Sequence, residues 1–588
     1  MENALRRNPK IPKFVVCSDI GGDCQGGDRL SNLPEPIIHH IFSFLETIDV
    51  VRASAVSRRW RYFWLSIPYL NFNIHNIWSN PLERWSLEKI NEKFKDFVNW
   101  VLLSQNGSIN IQRFLLSCFN CVDDYTLYRW LNAVAQRNVQ VLDLDIISEE
   151  PIKLPRCLVT CESLMSLKLD FGNREHQGVL NLPTCAGFNQ LKSLDLQHVE
   201  VLDYNLFRKF LSSCPLLENL YMKECFFRDF KILDISTTSL KYLTIDEFLL
   251  SEPKGLRSCE VICESLEALK LHFGWGIDKY VLKPPPTSVG FSRLKSLDLK
   301  HVEFLDHSFF LKLISSSPFL ENLIMDSCRF PDLRILDISS ASLKSLTLDR
   351  IEFGGDELGS YKLKIACPNL VSFKIFALLL PDFNLEGLNS LQNAFVFLET
   401  IGEHMEDIEI CHRLSKILNG LCGVEVLKLS CTLYEILNAS LEEGSYFSAS
   451  FNNLKSLILC VTMAEWTVPL IIRLLNRSPN LEALTIYFDA DEYFDEWKIS
   501  NKAILCLTCH LKTVDLVEFK GHEYELELVR FLLKNGHVLQ KLRISWLEDV
   551  YNRREIISRI MKFPRSSSSV ILKFLQPKSS FDFCEILR

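Results

Sequence analysis

Residues 191–248 read LKSLDLQHVEVLDYNLFRKFLSSCPLLENLYMKECFFRDFKILDISTTSLKYLTIDEF, and residues 294–351 read LKSLDLKHVEFLDHSFFLKLISSSPFLENLIMDSCRFPDLRILDISSASLKSLTLDRI. Roughly 35 of the 58 paired positions are identical without a gap, so the chain carries an internal duplication. Within each copy runs a shorter beat. Leu191, Leu194 and Leu196 form L-x-x-L-x-L, and Leu217, Leu220, Met222 and then Leu240, Leu243, Ile245 repeat it. The second copy answers with Leu294, Leu297, Leu299, with Leu320, Leu323, Met325, and with Leu343, Leu346, Leu348. In a strand, alternate side chains point to opposite faces, so the leucines share one side and the residues between them the other.

Working outward, the first leucine-type position recurs from Ile111 through Val139, Leu164, Leu191 and onward to Leu511 and Leu539, at a step of about 27 residues. A strand at that period, joined by a helix or an irregular arm, is the pattern of a leucine-rich-repeat solenoid: an α/β fold with one curved parallel sheet. The spacing predicts a sheet from near Ile111 to near Ile544, with Leu391–Phe397 as a degenerate strand in the long step between Leu370 and Val424. Two repeat types alternate. One has room for a helix that stops at a proline, as at Cys214-Pro215 and Ser317-Pro318; the other, as at Ser339–Leu348, has little room for a helix. Cys225 and Cys328 fall three residues past the strand motif, where a thiol can bond the backbone of the adjacent turn.

Upstream, residues 29–64 read RLSNLPEPIIHHIFSFLETIDVVRASAVSRRWRYFW. Pro34 suits the first turn of a helix with Ile37, Ile38, Ile41, Phe42 and Leu45 on one face; Thr47 and Ser57 can cap two more short helices. Three short helices make too small a core to stand alone, so this unit needs a partner or the rest of the chain. Leu33-Pro34, Ile41, Leu45, Asp49-Val50, Val56-Ser57 and Trp60 resemble the F-box motif. The resemblance implies docking on the Skp-type adaptor of Skp–cullin–F-box ubiquitin ligases through Leu33, Pro34, Ile41, Leu45, Val56 and Trp60. His39 and His40 depart from the family's usual residues there.

Downstream, Leu511-Lys512, Gly521, Glu525–Leu533, Asn535-Gly536, Leu539-x-Lys541-Leu542 and Pro564-Arg565-Ser566 resemble the FBD region that follows leucine-rich repeats in plant F-box proteins. Physically this is one or two further strand–helix units and a closing one, with Asn535-Gly536 as a helix stop. The chain therefore divides into a flexible glycine-rich leader (1–28), the three-helix F-box (29–70), a helical, aromatic cap (71–110), the repeats (111–500) and the FBD-like C-terminal region (501–588).

Composition restricts function. The chain has 588 residues, 47% hydrophobic and 23% charged, with a net charge of −8 that disfavours a nucleic-acid partner. It shows no signal peptide and no apolar run of membrane-span length, so its 20 cysteines are expected reduced, in cytoplasm or nucleus. Cys118-x-x-Cys121 and Cys506-x-x-Cys509 are too far apart in sequence to read as one zinc site, and no nucleotide, kinase, hydrolase or metalloprotease motif appears. No cofactor, metal or catalytic residue is expected. The residues between strand leucines line the concave face and mix both charges; Glu218, Tyr221, Glu321 and Ile324 are the candidate target-binding residues. The expectation is a non-catalytic, substrate-recruiting subunit that binds a Skp-type adaptor, through it a cullin, and a protein target. The alternative is a repeat scaffold or a small-molecule sensor without a ligase link. A sensor resembling the auxin-receptor F-box proteins would need a concave cluster of Lys and Arg, which the sequence lacks.

Overall fold

The structure is a computed structural model. It describes residues 33–576 except 55–59, 78–85, 106, 108, 149, 174–176, 183–186, 229–231, 249–256, 275–279, 284–290, 354–360, 378–379, 399–406, 430–449, 463–466, 490–503 and 549. The leader 1–28 and Val56 lie outside the described residues.

Among the described residues nineteen strands form one parallel sheet, each paired with the next repeat's strand. It begins one strand earlier than the leucine beat suggests, at Tyr69–Asn73, and ends one strand later, at Ile571–Leu575. The first strand follows the apolar beat as Ile67, Leu70 and Phe72 but stands out of step with the period of about 27 residues, and the last has Ser569 at the first position of the beat, so periodicity alone misses both. The strand expected between Leu370 and Val424 is Asn393–Leu398. Burial alternates along most of the repeat strands: in Ser193–Gln197 and Ser296–Lys300 the leucines are buried and the residues between them half-buried. The buried rows stack from repeat to repeat into one continuous core. Alternation fixes the register, because a one-residue slip would turn every leucine outward.

The arms follow the two repeat types. Helices Tyr204–Ser212 and His307–Ser315 occupy equivalent places in the two copies. Their N-caps are Asp203 and Asp306, whose carboxylates accept from Leu206 N and Ser308 N. Where a helix does not fit, a second strand does: Ile232–Ser236 pairs with Arg257–Ile262, and Ile335–Ser339 with Lys362–Ala366. The period-2 run Ile-Leu-Asp-Ile-Ser in both copies signals these strands. Cys225 donates to Leu196 O at 3.3 Å and Cys328 to Leu299 O at 3.5 Å, so each thiol links its turn to the preceding repeat. Burial pushes the Cys225 thiol up to about 12. The described cysteines form no disulfide.

At the C-terminal edge of the strands a left-handed residue recurs. His198 and His301, Glu224 and Ser327, and Glu247 and Arg350 have φ of 48° and 56°, 49° and 51°, and 49° and 46°. The duplication changed the side chain at two of these three places and kept the φ, so the turn belongs to the repeat geometry.

The F-box docks on the first strand. Helices Glu35–Phe42 and Thr47–Ala53 are followed by a short 3₁₀ segment, Trp60–Ser66. Asn71 N donates to Thr47 Oγ1 at 2.7 Å. Trp64 stacks on Trp100 of helix Leu87–Ser104 with centroids 4.6 Å apart.

Candidate functional site

Two surfaces can bind. The first is on the F-box. Helix Glu35–Phe42 and the turn after it divide their apolar residues: Ile38 and Phe42 are buried, while Ile37, Ile41, Phe44 and Leu45 remain 46%, 39%, 75% and 37% exposed. Pro34 is exposed beside them and Leu33 is half-buried. Trp60 is turned inward instead, edge-on to Phe42 at 5.5 Å, with its indole N–H buried and without a hydrogen-bond partner among the described residues. Of the sequence-derived anchors, Pro34, Ile41 and Leu45 thus lie on the open face and Trp60 supports it from behind. Phe44, which falls outside the motif, is the most exposed apolar residue of the group. His39 is partly enclosed, facing Phe63 edge-on at 5.9 Å and Ser66 Oγ at 3.4 Å, and His40 is exposed beside Phe44.

This face is held rigidly to the solenoid. Gln105 Nε2 donates to Trp64 O at 3.0 Å and Ile67 O at 3.3 Å, while its carbonyl accepts from Arg137 Nη2 at 2.9 Å. Arg137 Nε donates to Ile109 O at 3.1 Å. The guanidinium is buried, and burial lowers its affinity for the proton.

The second surface is the open face of the sheet, and it differs along its length. At its N-terminal rim, glutamate and lysine alternate at one repeat position. Lys241 meets Glu218 at 3.1 Å, Lys295 meets Glu267 at 2.9 Å, and Lys344 meets Glu321 at 2.8 Å. Lys455–Glu425 and Lys512–Glu482 continue the row, each at 2.8 Å. Two of the candidate target-binding residues, Glu218 and Glu321, are therefore each engaged by a lysine of the next repeat.

Further in, the face is ionic from Val141–Ile147 to Ser345–Asp349. His198 bridges Asp170 at 2.7 Å and Glu224 at 3.3 Å; His272 bridges Asp246 at 3.3 Å and Asp298 at 2.8 Å. Burial pushes the carboxyls of Asp143 and Asp195 up. Burial also works on Asp326, but the Ser327 hydroxyl, Lys300 and Arg350 outweigh it and hold that carboxyl down. Tyr221 stands between Asp195 and Thr244 on the flanking strands, and Ile324 between Asp298 and Thr347. The duplication kept both flanks and changed the centre. Burial, then Asp246 and Asp195, push the Tyr221 phenol up.

At Ser372–Ala377 and Asn393–Leu398 the same rows turn aromatic, and further on they are ionic again, with Arg543 paired to Asp515. Phe376 stacks on Phe397 at 4.3 Å, and Lys428 Nζ lies 4.8 Å from the Phe395 ring. Phe395 and Phe397 are each 8% exposed. Sequence reasoning missed this patch, because the long step there hides which residues share a face; the burial of Phe395 and Phe397 shows that it is packed.

Among the described residues no group of three or more His, Cys, Asp or Glu is placed to hold a metal ion, and no helix is long and apolar enough to cross a membrane.

Comparison with known proteins agrees with this anatomy. Residues 30–71 match the model of the F-box domain, and residues 500–544 match FBD. Residues 127–257 and 248–358 match the family described as FBD-associated F-box protein At5g56370, LRR repeats. The chain is 33% identical over 243 residues to the F-box/FBD/LRR-repeat protein At5g56420 of Arabidopsis thaliana, covering 39% of this chain and 53% of the relative. The putative F-box/LRR-repeat protein At3g59230 of the same plant is 33% identical over 37% of this chain and 44% of its own length. In both, the chain spans about half the relative's length. The FBD-associated F-box protein At5g56380, also from Arabidopsis thaliana, is 24% identical over 93% of this chain and 100% of its own length.

Proposed function

We propose that this chain, whose segments match the F-box, leucine-rich-repeat and FBD models, is the substrate-recognition subunit of a Skp–cullin–F-box ubiquitin ligase. The observation that carries this reading is the exposure of Ile37, Ile41, Phe44 and Leu45 on helix Glu35–Phe42 and the turn after it, while Ile38 and Phe42 of the same helix are buried. A contiguous apolar patch on a small helical unit fits a permanent protein partner. The Skp-type adaptor is that partner, and it links the chain to a cullin. Leu33, Pro34, Ile41 and Leu45 contact it, while Val56 and Trp60 complete the motif.

The protein does no chemistry itself. It is a rigid spacer: the link from Gln105 to Arg137 fixes the F-box, and the continuous sheet holds a protein target at a set distance from the ubiquitin-charged enzyme, raising its effective concentration there. The target binds the open face of the middle repeats, with Tyr221 and Ile324 as apolar anchors and Glu218 and Glu321 at the rim. The protein acts in cytoplasm or nucleus.

The test is co-purification with a Skp-type adaptor. Ile41→Glu with Leu45→Glu places charges on an already exposed face, so the fold should survive. Two apolar anchors at about 2 kcal/mol each should weaken binding by at least ~100-fold. Undiminished adaptor recovery would return the chain to the scaffold or sensor reading.

A further inference from the structure

Cys118 stands on the core side near the end of strand Arg113–Phe119, and Cys121 lies in the turn that leads from it to helix Asp124–Ala135. Asn120, between them, is left-handed with φ of 43°, and its amide donates to Ile147 O at 2.9 Å. The turn brings the two side chains back together: the thiols of Cys118 and Cys121 hydrogen-bond to each other. Other buried cysteines of the repeats are placed differently. Cys225, Cys328, Cys367 and Cys506 each donate to a backbone carbonyl about one repeat earlier, at 3.3, 3.5, 3.4 and 3.3 Å. A thiol that donates to a carbonyl stays protonated. A thiol that donates to a second sulfur makes that sulfur the acceptor, which is the role of a thiolate.

The surroundings favour charge on one sulfur of the pair. Lys95 of helix Leu87–Ser104 meets Asp123 at 3.0 Å beside the turn. Asp123 caps helix Asp124–Ala135, accepting from Thr126 N at 2.9 Å, so Cys121 stands two residues before the cap, at the positive end of the helix. The hydrogen bond from Cys118 holds the Cys121 thiol below its ordinary value against burial, and Lys95 and the amides of Cys121 and Phe119 add to it. The same bond, and then burial, push the Cys118 thiol well up. Cys121 is therefore the thiolate and Cys118 the proton holder. Cys121 is 4% exposed, close to the exposed Asn120 and Asp123, so a small oxidant has a short path to its sulfur.

We propose that Cys118 and Cys121 form a peroxide-reactive dithiol at the seam between helix Leu87–Ser104 and the first repeats. The Cys121 thiolate attacks one oxygen of hydrogen peroxide. The O–O bond breaks, the departing hydroxide takes the proton that Cys121 released, and Cys121 is left as a sulfenic acid. The Cys118 sulfur then attacks the Cys121 sulfur, and its proton leaves with the sulfenic oxygen as water. Peroxide gains two electrons, the two thiols lose two in forming one disulfide, and two waters are released. A dithiol reductant reverses the bond.

The test uses the full chain, reduced and then freed of reductant. It is treated with a small excess of hydrogen peroxide, denatured in an alkylating agent and mapped by mass spectrometry of its peptides. A 118–121 disulfide should form within single chains, reverse with dithiothreitol, and appear while Cys225 and Cys328 remain alkylated thiols. Cys118→Ser should leave a sulfenic acid on Cys121 that dimedone traps, and Lys95→Met should slow disulfide formation several-fold. A pair that stays fully alkylated while other cysteines oxidise would overturn the proposal. Sulfenic acid trapped on Cys118 of Cys121→Ser, with none on Cys121 of Cys118→Ser, would equally overturn it, as would an unchanged rate in Lys95→Met. Where a variant does not fold, the map of the natural chain decides by itself.

Discussion

Arg137 Nη2 donates to Gln105 Oε1 at 2.9 Å, and this bond helps to join the first leucine-rich repeats to the F-box, whose Trp64 and Ile67 carbonyls are held by the other end of the same amide. Gln105→Leu would leave two carbonyls and one buried guanidinium N–H without their partner. Groups of that kind cost roughly 1–3 kcal/mol each when left unmade in the interior. The expected outcome is a loss on the order of 3 kcal/mol in denaturant unfolding, with earlier proteolytic cutting between F-box and repeats. An unchanged unfolding midpoint would show that packing alone, such as the Trp64–Trp100 stack, holds the joint.

The rim of alternating glutamates and lysines is solvent-exposed, so its pairs order side chains more than they stabilise the fold. Glu321→Gln, which frees Lys344, should leave the melting temperature nearly unchanged and insensitive to added salt. A marked loss at low salt that disappears at high salt would mean that the row acts as a network.

Tyr221 is one place where the two duplicated faces differ, with the same neighbours on either side as Ile324. Tyr221→Ala should reduce the recovery of target from plant extract, read by quantitative mass spectrometry, while adaptor recovery and melting temperature stay near wild type. Glu218→Gln should have a smaller effect, because Lys241 already engages that carboxylate at 3.1 Å. Lost stability in Tyr221→Ala would place the ring in the fold rather than at the interface.

Glu525 is 0% exposed and caps its own helix, Glu523–Asn535, accepting the amides of Lys520, Gly521 and His522. Burial pushes its carboxyl up to about 7 against the pull of those three amides. The folded chain then holds this proton more tightly than the unfolded one. The contribution is full below about pH 4.5 and is lost as pH rises to about 7, by on the order of 3 kcal/mol. Glu525→Gln keeps an acceptor oxygen and removes the titration, so its stability should be flatter over that window. Parallel pH profiles for the two proteins would show that the carboxylate stays ionised throughout.

Gly521 precedes this cap with φ of 88°, and a Cβ there would stand 2.3 Å from Ile556 Cδ1. Gly521→Ala meets both the backbone penalty and that contact, so a loss of about 1–3 kcal/mol is expected in denaturant unfolding. A neutral result would mean that Ile556 moves aside and the turn relaxes.

The sequence by itself determined the solenoid, because a leucine beat repeated over hundreds of residues leaves one way to bury all the leucines at once: strand beside strand, in parallel, with Leu194 stacked on Leu220 and Leu297 on Leu323. It also determined the F-box, whose residue order is itself the signal, and the Cys225 and Cys328 turns, which are local. Only the tertiary structure decided which apolar residues of helix Glu35–Phe42 face outward, since Ile37 and Ile38 are neighbours in the chain and the solenoid takes just one of them. It decided that Glu218 and Glu321 are engaged by lysines of the next repeat, because those pairs lie 23 residues apart in sequence and meet only when adjacent strands align. It placed Phe376 on Phe397 and the outermost strands Tyr69–Asn73 and Ile571–Leu575 in the sheet. Strands out of step with the period join because an edge already formed offers them backbone partners, a force that side-chain periodicity does not record.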